Sequence, residues 1–574
     1  MNKRDIIRTL NDISIYYELS GENFFKIRAY RMAARALEVS DAEITPATAL
    51  VDLQNIKGIG SSIARQILEL ASSGKLELFE DLKSRIPPGL IEMLKIPKLG
   101  PKKIKHLYDS LGIESIAELK QACRENKLLK LENFGPKTQE NILKGIQFIS
   151  KYKGRFLYAD VIDEANLIEN RLREFKEINR CSIAGSLRRK KEIVKDIDIV
   201  ASSKNPDAVI DYFTKMEGVT EIIAEGDTKS SVRLQSGVNA DLRVVSDFQY
   251  PYALHHFTGS MEHNTAMRSL AKKHNLKMNE YGLFKDEETV YCKSEKDIFA
   301  IFGMDYIEPE LRENTGEIEA ALNKRLPDLV KEEDIRGIFH FHTTWSDGNM
   351  SLSQAAQELI KCGFSYCGVA DHSKTAFYAG GIKDEFIDFY LEEIDGINRK
   401  NRDFKVFKGI ESDILPDGSL DYDESTLAKF DFIIIAIHSN FNMTEKTMTE
   451  RIIKGMQSRY ATVLGHPTGR LLLSRDEYNV NITDIIDAAA DLDVALEINA
   501  SPFRLDLGWQ YCKYAAEKGV KMFINPDAHS IETLHDYKYG INVARKGWLE
   551  KKDIVNCMEL NEIIDYFSFR KNRK

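Results

Sequence analysis

The chain has 574 residues, too many for one ordinary domain. Its 43% hydrophobic and 29% charged residues exclude disordered and fibrous classes. The net charge of −9 conceals a split: residues 1–200 carry 35 Lys+Arg against 28 Asp+Glu, and the remainder 45 against 61. A basic front fits a nucleic-acid grip and an acidic back fits a carboxylate-rich metal domain. The seven cysteines are scattered without a CxxC pair, which argues against a disulfide framework or a thiolate zinc site. No apolar run predicts a membrane span, and the charged start has no apolar core or cleavage site, so a cytoplasmic location is expected.

The first 150 residues read as short amphipathic helices punctuated by glycine. Three stretches resemble one another: IKGIGSSIARQI from Ile56, IPKLGPKKIKHL from Ile96 and LENFGPKTQENI from Leu131. Each is an apolar residue, a glycine turn and a helix start, the pattern of a helix-hairpin-helix. Glycines Gly58, Gly60, Gly100 and Gly135 allow close backbone approach, and the N–H groups at the helix start can hold a DNA phosphate. Lys102, Lys103 and Lys137 add non-specific electrostatic attraction.

Further along, CSIAGSLRRKKEIVKDIDIVAS (Cys181–Ser202) contains a β-branched strand bearing Asp196 and Asp198. Residues i and i+2 of a strand share a face, which sets these carboxylates about 7 Å apart along the chain. Asp241 lies in a second expected strand, VNADLRVVS. Three carboxylates together call for cations between them, here two Mg²⁺ or Mn²⁺ ions. Upstream, Gly185, Ser186 and the guanidinium of Arg189 suit a triphosphate.

These motifs, with HHFTGSMEHNTAMR (His255–Arg268), resemble the family X DNA polymerases from the amino terminus to about residue 318. The resemblance implies that Phe257 and Gly259 pack on an incoming nucleotide, that Asn264 contacts it and that Arg268 contacts the template. It implies that Ser186 and Arg189 bind the triphosphate, and that Asp196, Asp198 and Asp241 hold the metals, Asp241 also helping to deprotonate the primer 3′-hydroxyl. Three positions depart from the family. His256 replaces a common Tyr and Asn239 replaces an Arg two residues before the third Asp. Gln66 stands where some relatives carry a Schiff-base lysine, so no lyase reaction by that route is expected, with Lys57 or Lys26 able to substitute only if the geometry changed.

From Arg336 the pattern alternates strand and helix. Seven expected strands, from GIFHFHT to KMFINPDAH, end in His340 and His342, His372, Glu411, His438, His466, and Asp527 with His529, with Asp347 in the first loop. The carboxyl end of a parallel sheet is where active sites are built. Imidazole and carboxylate ligands without thiolate favour two or three Zn²⁺, Mn²⁺ or Fe²⁺ ions, and Arg504 could face a phosphate. The HxH, SDG, DH, E, H, GHP and DAH elements resemble the PHP (polymerase and histidinol phosphatase) domain. That implies a distorted (β/α)₇ barrel with the nine residues as ligands, and a metal-dependent 3′→5′ exonuclease with abasic-site or 3′-phosphate cleavage in some members.

The expected architecture is therefore multidomain: helical helix-hairpin-helix domains (1–85, and fingers 86–150), an α+β nucleotidyltransferase palm (151–250) with a thumb (251–318), a charged linker (319–334) and a PHP barrel (335–574). The expected partners are gapped or nicked DNA and dNTPs, and the expected state is a monomer. Two rival readings are a DNA end-binding scaffold with a nuclease but little synthesis, and a small-molecule phosphatase in the barrel half.

Overall fold

The structure, a computed structural model, describes residues 1, 3–40, 42, 44–97, 99–286 and 288–571, and divides into the units Met1–Lys153 and Gly154–Lys574.

The first unit is built from helices. Ile6, Leu10, Ile13 and Tyr17 recur at helical spacing in Lys3–Ser20 and bury with Leu37, Ile67 and Leu70 in one core, while Ile96, Ile104, Leu107, Ile142 and Ile146 form a second. The three glycine turns open the helices Ser61–Ser73, Pro101–Leu111 and Pro136–Tyr152, with Gly60, Gly100 and Gly135 at the N-cap positions and no side-chain cap. In the third hairpin the preceding limb is a short 3₁₀ turn, Lys127–Lys130, rather than an α-helix.

In the second unit, the palm is a five-stranded sheet of β1 (Ile178–Ile183), β2 (Asp196–Ser203), β3 (Val219–Glu225), β4 (Lys229–Leu234) and β5 (Asn239–Val245). Its spatial order is β1-β2-β5-β4-β3, and the β2–β5 pair alone within it is parallel. Alternation along β2 sends Ile197, Ile199 and Ala201 into a core with the helices Tyr158–Glu174 and Pro206–Thr214. Val200 packs on the other face against Tyr250, Ala253 and Leu254 of the helix Tyr250–Thr258, and Asp196 and Asp198 share that parity. The thumb follows, with the helix Met261–Lys273 and an antiparallel sheet of Lys277–Asn279, Gly282–Lys285 and Glu288–Val290.

The segment 319–334, expected as a charged linker, is instead packed. Helix Glu317–Leu322 runs into it, Leu329 buries in the thumb core and Val330 in the barrel core. Apolar residues at these two positions tie both cores to one short stretch of chain.

Seven parallel strands follow in sequential order: β6 (Gly337–Phe339), β7 (Tyr366–Val369), β8 (Lys405–Asp413), β9 (Phe432–Ala436), β10 (Val463–Leu464), β11 (Ala495–Asn499) and β12 (Met522–Asn525). The bridge Phe341↔Ala528 and the bond from His342 N–H to the Ala528 carbonyl (2.8 Å) bring the first strand against the last. The ring is thus a nearly closed (β/α)₇ barrel. Its lower interior is aromatic: Phe339, Phe407, Phe432 and Phe523 surround Phe567 of the carboxyl-terminal helix Leu560–Lys571. Glycine at 409 is required here, because a Cβ would lie 2.2 Å from the Phe432 ring.

Candidate active sites

In the palm, the register pairs Asp198 with Asp241 and Asp196 with Asn239, so all three carboxylates lie on one face of two adjacent parallel strands. Burial, then the charges of Asp196 and Asp241, push the Asp198 carboxyl up to about 7, and burial and Asp241 also raise Asp196. Groups held that close with raised proton affinity fit a divalent-cation site. Gly185, at φ +60°, presses on Asp198: a Cβ there would lie 2.0 Å from the carboxylate Oδ2. The glycine is therefore needed for the turn that brings Ser186 and Arg189 beside the aspartates.

The two adjacent arginines have different fates. Arg188 is structural, donating two bonds to Glu295 (2.6 and 3.0 Å) and one to the Thr258 hydroxyl (2.6 Å), with fully buried Arg312 pairing the same carboxylate. Arg189 donates Nε to Glu313 (2.9 Å) and Nη1 to the Thr258 carbonyl (2.7 Å). Phe257 lies under the Arg243 guanidinium, 4.5 Å from its ring centroid, two residues beyond Asp241. Gly259 caps the Tyr250–Thr258 helix, and a Cβ there would meet Asn264 Oδ1 at 2.7 Å. The Asn264 amide donates to the carbonyls of His256 (2.7 Å) and Gly259 (3.2 Å), which fixes this turn, while Arg268 on the following helix is exposed. At the Asn239 departure, β4 places Arg233 directly opposite, Nε to Oδ1 3.3 Å, so a guanidinium stands there on a neighbouring strand.

In the first unit, Gly60, Gly100 and Gly135 are exposed, and a Cβ at each would meet nothing within 4 Å. Lys102 and Lys137 beside the second and third turns are exposed and Lys103 half-buried. Gln66 accepts a bond from the Tyr30 hydroxyl (2.8 Å), while Lys26 pairs with Glu22 (3.1 Å) over the Tyr17 ring.

In the barrel, inward parity continues upward from the aromatic floor: Phe407, Gly409, Glu411; Phe432, Ile434, Ala436, His438; Phe523, Asn525, Asp527. Glu411 lies at the centre, with His340 Nε2 at 3.4 Å, His372 Nδ1 at 2.8 Å, His438 Nε2 at 3.3 Å and His466 Nε2 at 3.0 Å. Asp527 faces His342 (3.1 Å) and His340 (3.5 Å), and Asp347 faces His529 (3.4 Å), His372 (3.7 Å) and His342 (3.9 Å). All nine sequence-selected residues thus meet at one end of the barrel: eight fall in three overlapping groups of donors, and the ninth, His466, joins through Glu411. His340, His466 and Asp527 hold positive φ (54°, 27° and 51°), a backbone conformation that residues with a Cβ seldom adopt.

The donors fit metal ions. His340 Nε2, His342 Nδ1 and His466 Nδ1 are buried without a hydrogen-bond partner, a costly state that cations relieve. Against the penalty of burial, Glu411 and Asp413 hold the His438 imidazolium to about 10, and Asp347 and Asp527 hold that of His529 to about 9. The carboxylates keep their charge: the surrounding imidazoles hold Glu411 and Asp527 well below the usual range despite burial.

Sequence reading missed the residues that aim these side chains. Glu497 accepts from His340 Nδ1 (2.5 Å), from the His466 backbone N–H (2.7 Å) and from Asn525 (2.8 Å), and Asp413 accepts from His438 Nδ1 (2.6 Å). Asp371 takes the Thr343 N–H and hydroxyl and the Ser346 hydroxyl (2.6–2.8 Å), fixing the first loop. A signal existed: Asp413 lies two residues beyond Glu411, and Glu497 places a charge among the apolar residues Ala495, Leu496 and Ile498. Arg504 stands beside the cluster, Nε 3.4 Å from Asp527.

Comparisons with known proteins agree along the chain. Residues 1–76 match a helix-hairpin-helix domain, 90–147 a SAM-like helix-hairpin-helix tandem, 253–313 the DNA polymerase beta thumb and 339–501 the PHP domain. The chain is 39% identical to the DNA polymerase/3′-5′ exonuclease PolX of Bacillus subtilis, over 98% of this chain and 99% of that protein. It is 32% identical to the repair DNA polymerase X of African swine fever virus over 22% of this chain and 78% of that protein. It is 23% identical to the DNA nucleotidylexotransferase of Gallus gallus over 48% and 61%.

Proposed function

The chain belongs to the family of PolX DNA polymerase/3′-5′ exonucleases, and from that premise we propose that it fills short gaps in DNA at the palm and trims 3′ ends in the barrel. Both activities depend on divalent metal. Asp196, Asp198 and Asp241 would hold Mg²⁺ or Mn²⁺, and the nine barrel ligands two or three Zn²⁺, Mn²⁺ or Fe²⁺ ions. When bound, these ions supply positive charge that activates an attacking oxygen and stabilises the phosphoryl group.

The chain's own groups do the rest. The open glycine turns at Gly58, Gly60, Gly100 and Gly135, with Lys102, Lys103 and Lys137, grip the DNA backbone without reading sequence. Ser186 and Arg189 hold the dNTP triphosphate, Phe257 and Gly259 shape the sugar pocket, Asn264 orders that turn, and Arg268 reaches the template. Asp241 accepts the proton of the primer 3′-hydroxyl. In the barrel Arg504 pairs with the phosphodiester at the Asp527 edge of the cluster. Gln66, held by Tyr30, provides no amine for lyase chemistry. The molecule acts as a monomer in the cytoplasm, a reducing compartment that its seven unpaired cysteines fit.

The observation that carries this reading is the presence of two separate cation-type cages on one chain, Asp198 beside Asp241 in the palm and Glu411 amid four histidines in the barrel. The test uses one gapped duplex. Asp198→Ala should abolish extension and spare degradation, and His340→Ala with His342→Ala should do the reverse. Loss of both activities from either change would contradict independent centres. Absence of extension by the wild type would favour the scaffold reading.

A further inference from the structure

Large aromatic side chains stand in water around the mouth of the barrel. Phe377 is 86% exposed, Tyr378 65% and Phe503 59%, whereas the phenylalanines of the barrel floor are buried. All three sit on loops that leave strands at the catalytic end. Phe377 and Tyr378 form the 3₁₀ turn Phe377–Ala379 after His372, with the Tyr378 ring 6.4 Å from the His372 ring. Phe503 directly precedes Arg504, the guanidinium facing Asp527, and its carbonyl is held by Leu472 N–H (2.7 Å). Exposed rings beside a phosphate-type site match the requirements of unpaired nucleic acid: bases stack on the rings while the backbone meets the charge. A free phosphate ester has no bases to stack and gains nothing from these rings.

We propose that Phe377, Tyr378 and Phe503 form a stacking platform for the unpaired terminal nucleotides of a DNA 3′ end, and so select DNA over small phosphate esters at the barrel centre. This rests on the exonuclease reading. The test compares single-stranded DNA with glycerol 2-phosphate, a phosphate ester that carries no ring, in wild type, Phe377→Ala and the double variant Phe377→Ala/Phe503→Ala. The DNA KM should rise about tenfold or more in the double variant, since stacking on one ring is worth a factor of that order, with the small ester's kcat/KM unchanged. A proportional fall on both substrates, or an unchanged DNA KM, would overturn the platform. If the wild type turned over the small ester and left DNA 3′ ends intact, the exonuclease reading would fail instead.

A second inference rests on a different contact. The barrel helix Tyr537–Lys546 ends with Lys546 buried against the polymerase half. Its ammonium donates to Glu313 (2.5 Å) and to the backbone carbonyls of Arg189 (3.2 Å) and Glu310 (3.3 Å). Glu313 is the carboxylate that also receives Arg189 Nε. Four residues upstream in sequence from Asp196, Glu192 receives Arg470 of the barrel (2.6 Å), so barrel side chains hold the chain that follows the glycine turn at two points, Arg189 and Glu192. A carboxylate at Arg189 competes with a triphosphate for the same guanidinium, and a second cation on that carboxylate weakens the competition.

The geometry points to Lys546 as a positioning residue for the nucleotide site, which makes the barrel part of the polymerase. This rests on Arg189 binding the triphosphate. Lys546→Met should raise the dNTP KM about tenfold with kcat changed much less, the split expected when ground-state and transition-state binding fall together. Adding Glu313→Gln should restore the KM, because the competing charge is gone, and Lys546→Arg should stay near wild type. An unchanged KM in Lys546→Met, or no rescue by Glu313→Gln, would overturn the inference. Arg189→Ala separates the two claims: if it leaves the KM unchanged, the triphosphate reading is at fault.

Discussion

Asp198 and Asp241 are direct partners across the parallel β2–β5 pair, the closest register two adjacent strands allow. Burial and the neighbouring aspartates raise the Asp198 carboxyl to about 7. With chelator present, the folded protein therefore holds a proton that the unfolded chain has lost between pH ~4 and ~7, and stability falls as pH rises through that window. Asp198→Asn should remove this dependence and make the chelated protein more stable at pH 8 by an amount of the order of 2–4 kcal/mol, with no difference near pH 4. Denaturant unfolding with EDTA at both pH values measures it. A wild-type stability that climbs across the window faster than that of the variant would contradict it.

Glu497 holds His340 and the backbone of His466 at once. Glu497→Gln keeps the shape but removes the charge that orients the His340 ring. The expected loss is about 10–100-fold in metal affinity at the barrel, as for other carboxylates behind a ligand histidine. Competitive chelator titration reads this directly, and gap extension should persist. Unchanged affinity would show that the neighbouring ligands alone orient His340.

Glu295 joins Arg188, in the turn that follows Gly185, to fully buried Arg312. Burial works against its charge, but the two guanidiniums prevail and hold the carboxyl at about 2. Its folded value is depressed, so its contribution is present above about pH 4.5 and is lost as pH falls toward 2. Glu295→Gln should cost about 3–5 kcal/mol at neutral pH, because two buried cations lose their partner. The variant should also show a flatter acid-unfolding curve. A cost below about 1 kcal/mol would mean that the turn holds without this network.

Gln66 lies against Tyr30, and burial pushes that phenol up to about 12, so Tyr30 stays a neutral hydrogen-bond donor. Wild type should give no borohydride-trapped adduct with a 5′-deoxyribose phosphate end. Gln66→Lys places an amine at that position and should yield a trapped adduct. An adduct in the wild type, mapped to Lys57 or Lys26, would show that another lysine reaches the site.

Much of this protein was legible because its chemistry is local in sequence. The period of two in DIDIVAS fixed which side of a strand carries Asp196 and Asp198, and regular alternation of strand and helix fixed that His340, His372 and Asp527 share one end of a sheet. Glycine followed by proline or serine fixed where the hairpin helices begin.

Partnerships between distant segments were decided only by tertiary structure. Two arginines in a row look alike in sequence, yet Arg188 is consumed by Glu295, 107 residues away, while Arg189 pairs with Glu313. The apparent linker became packed because Leu329 and Val330 found different cores, and Lys546 reached the polymerase half across 233 residues of chain to Glu313. Side-chain type and period are set by covalent neighbours and are visible in one dimension. Which buried charge meets which counter-charge depends on how the sheets and helices close around it, and desolvation makes that choice only after folding.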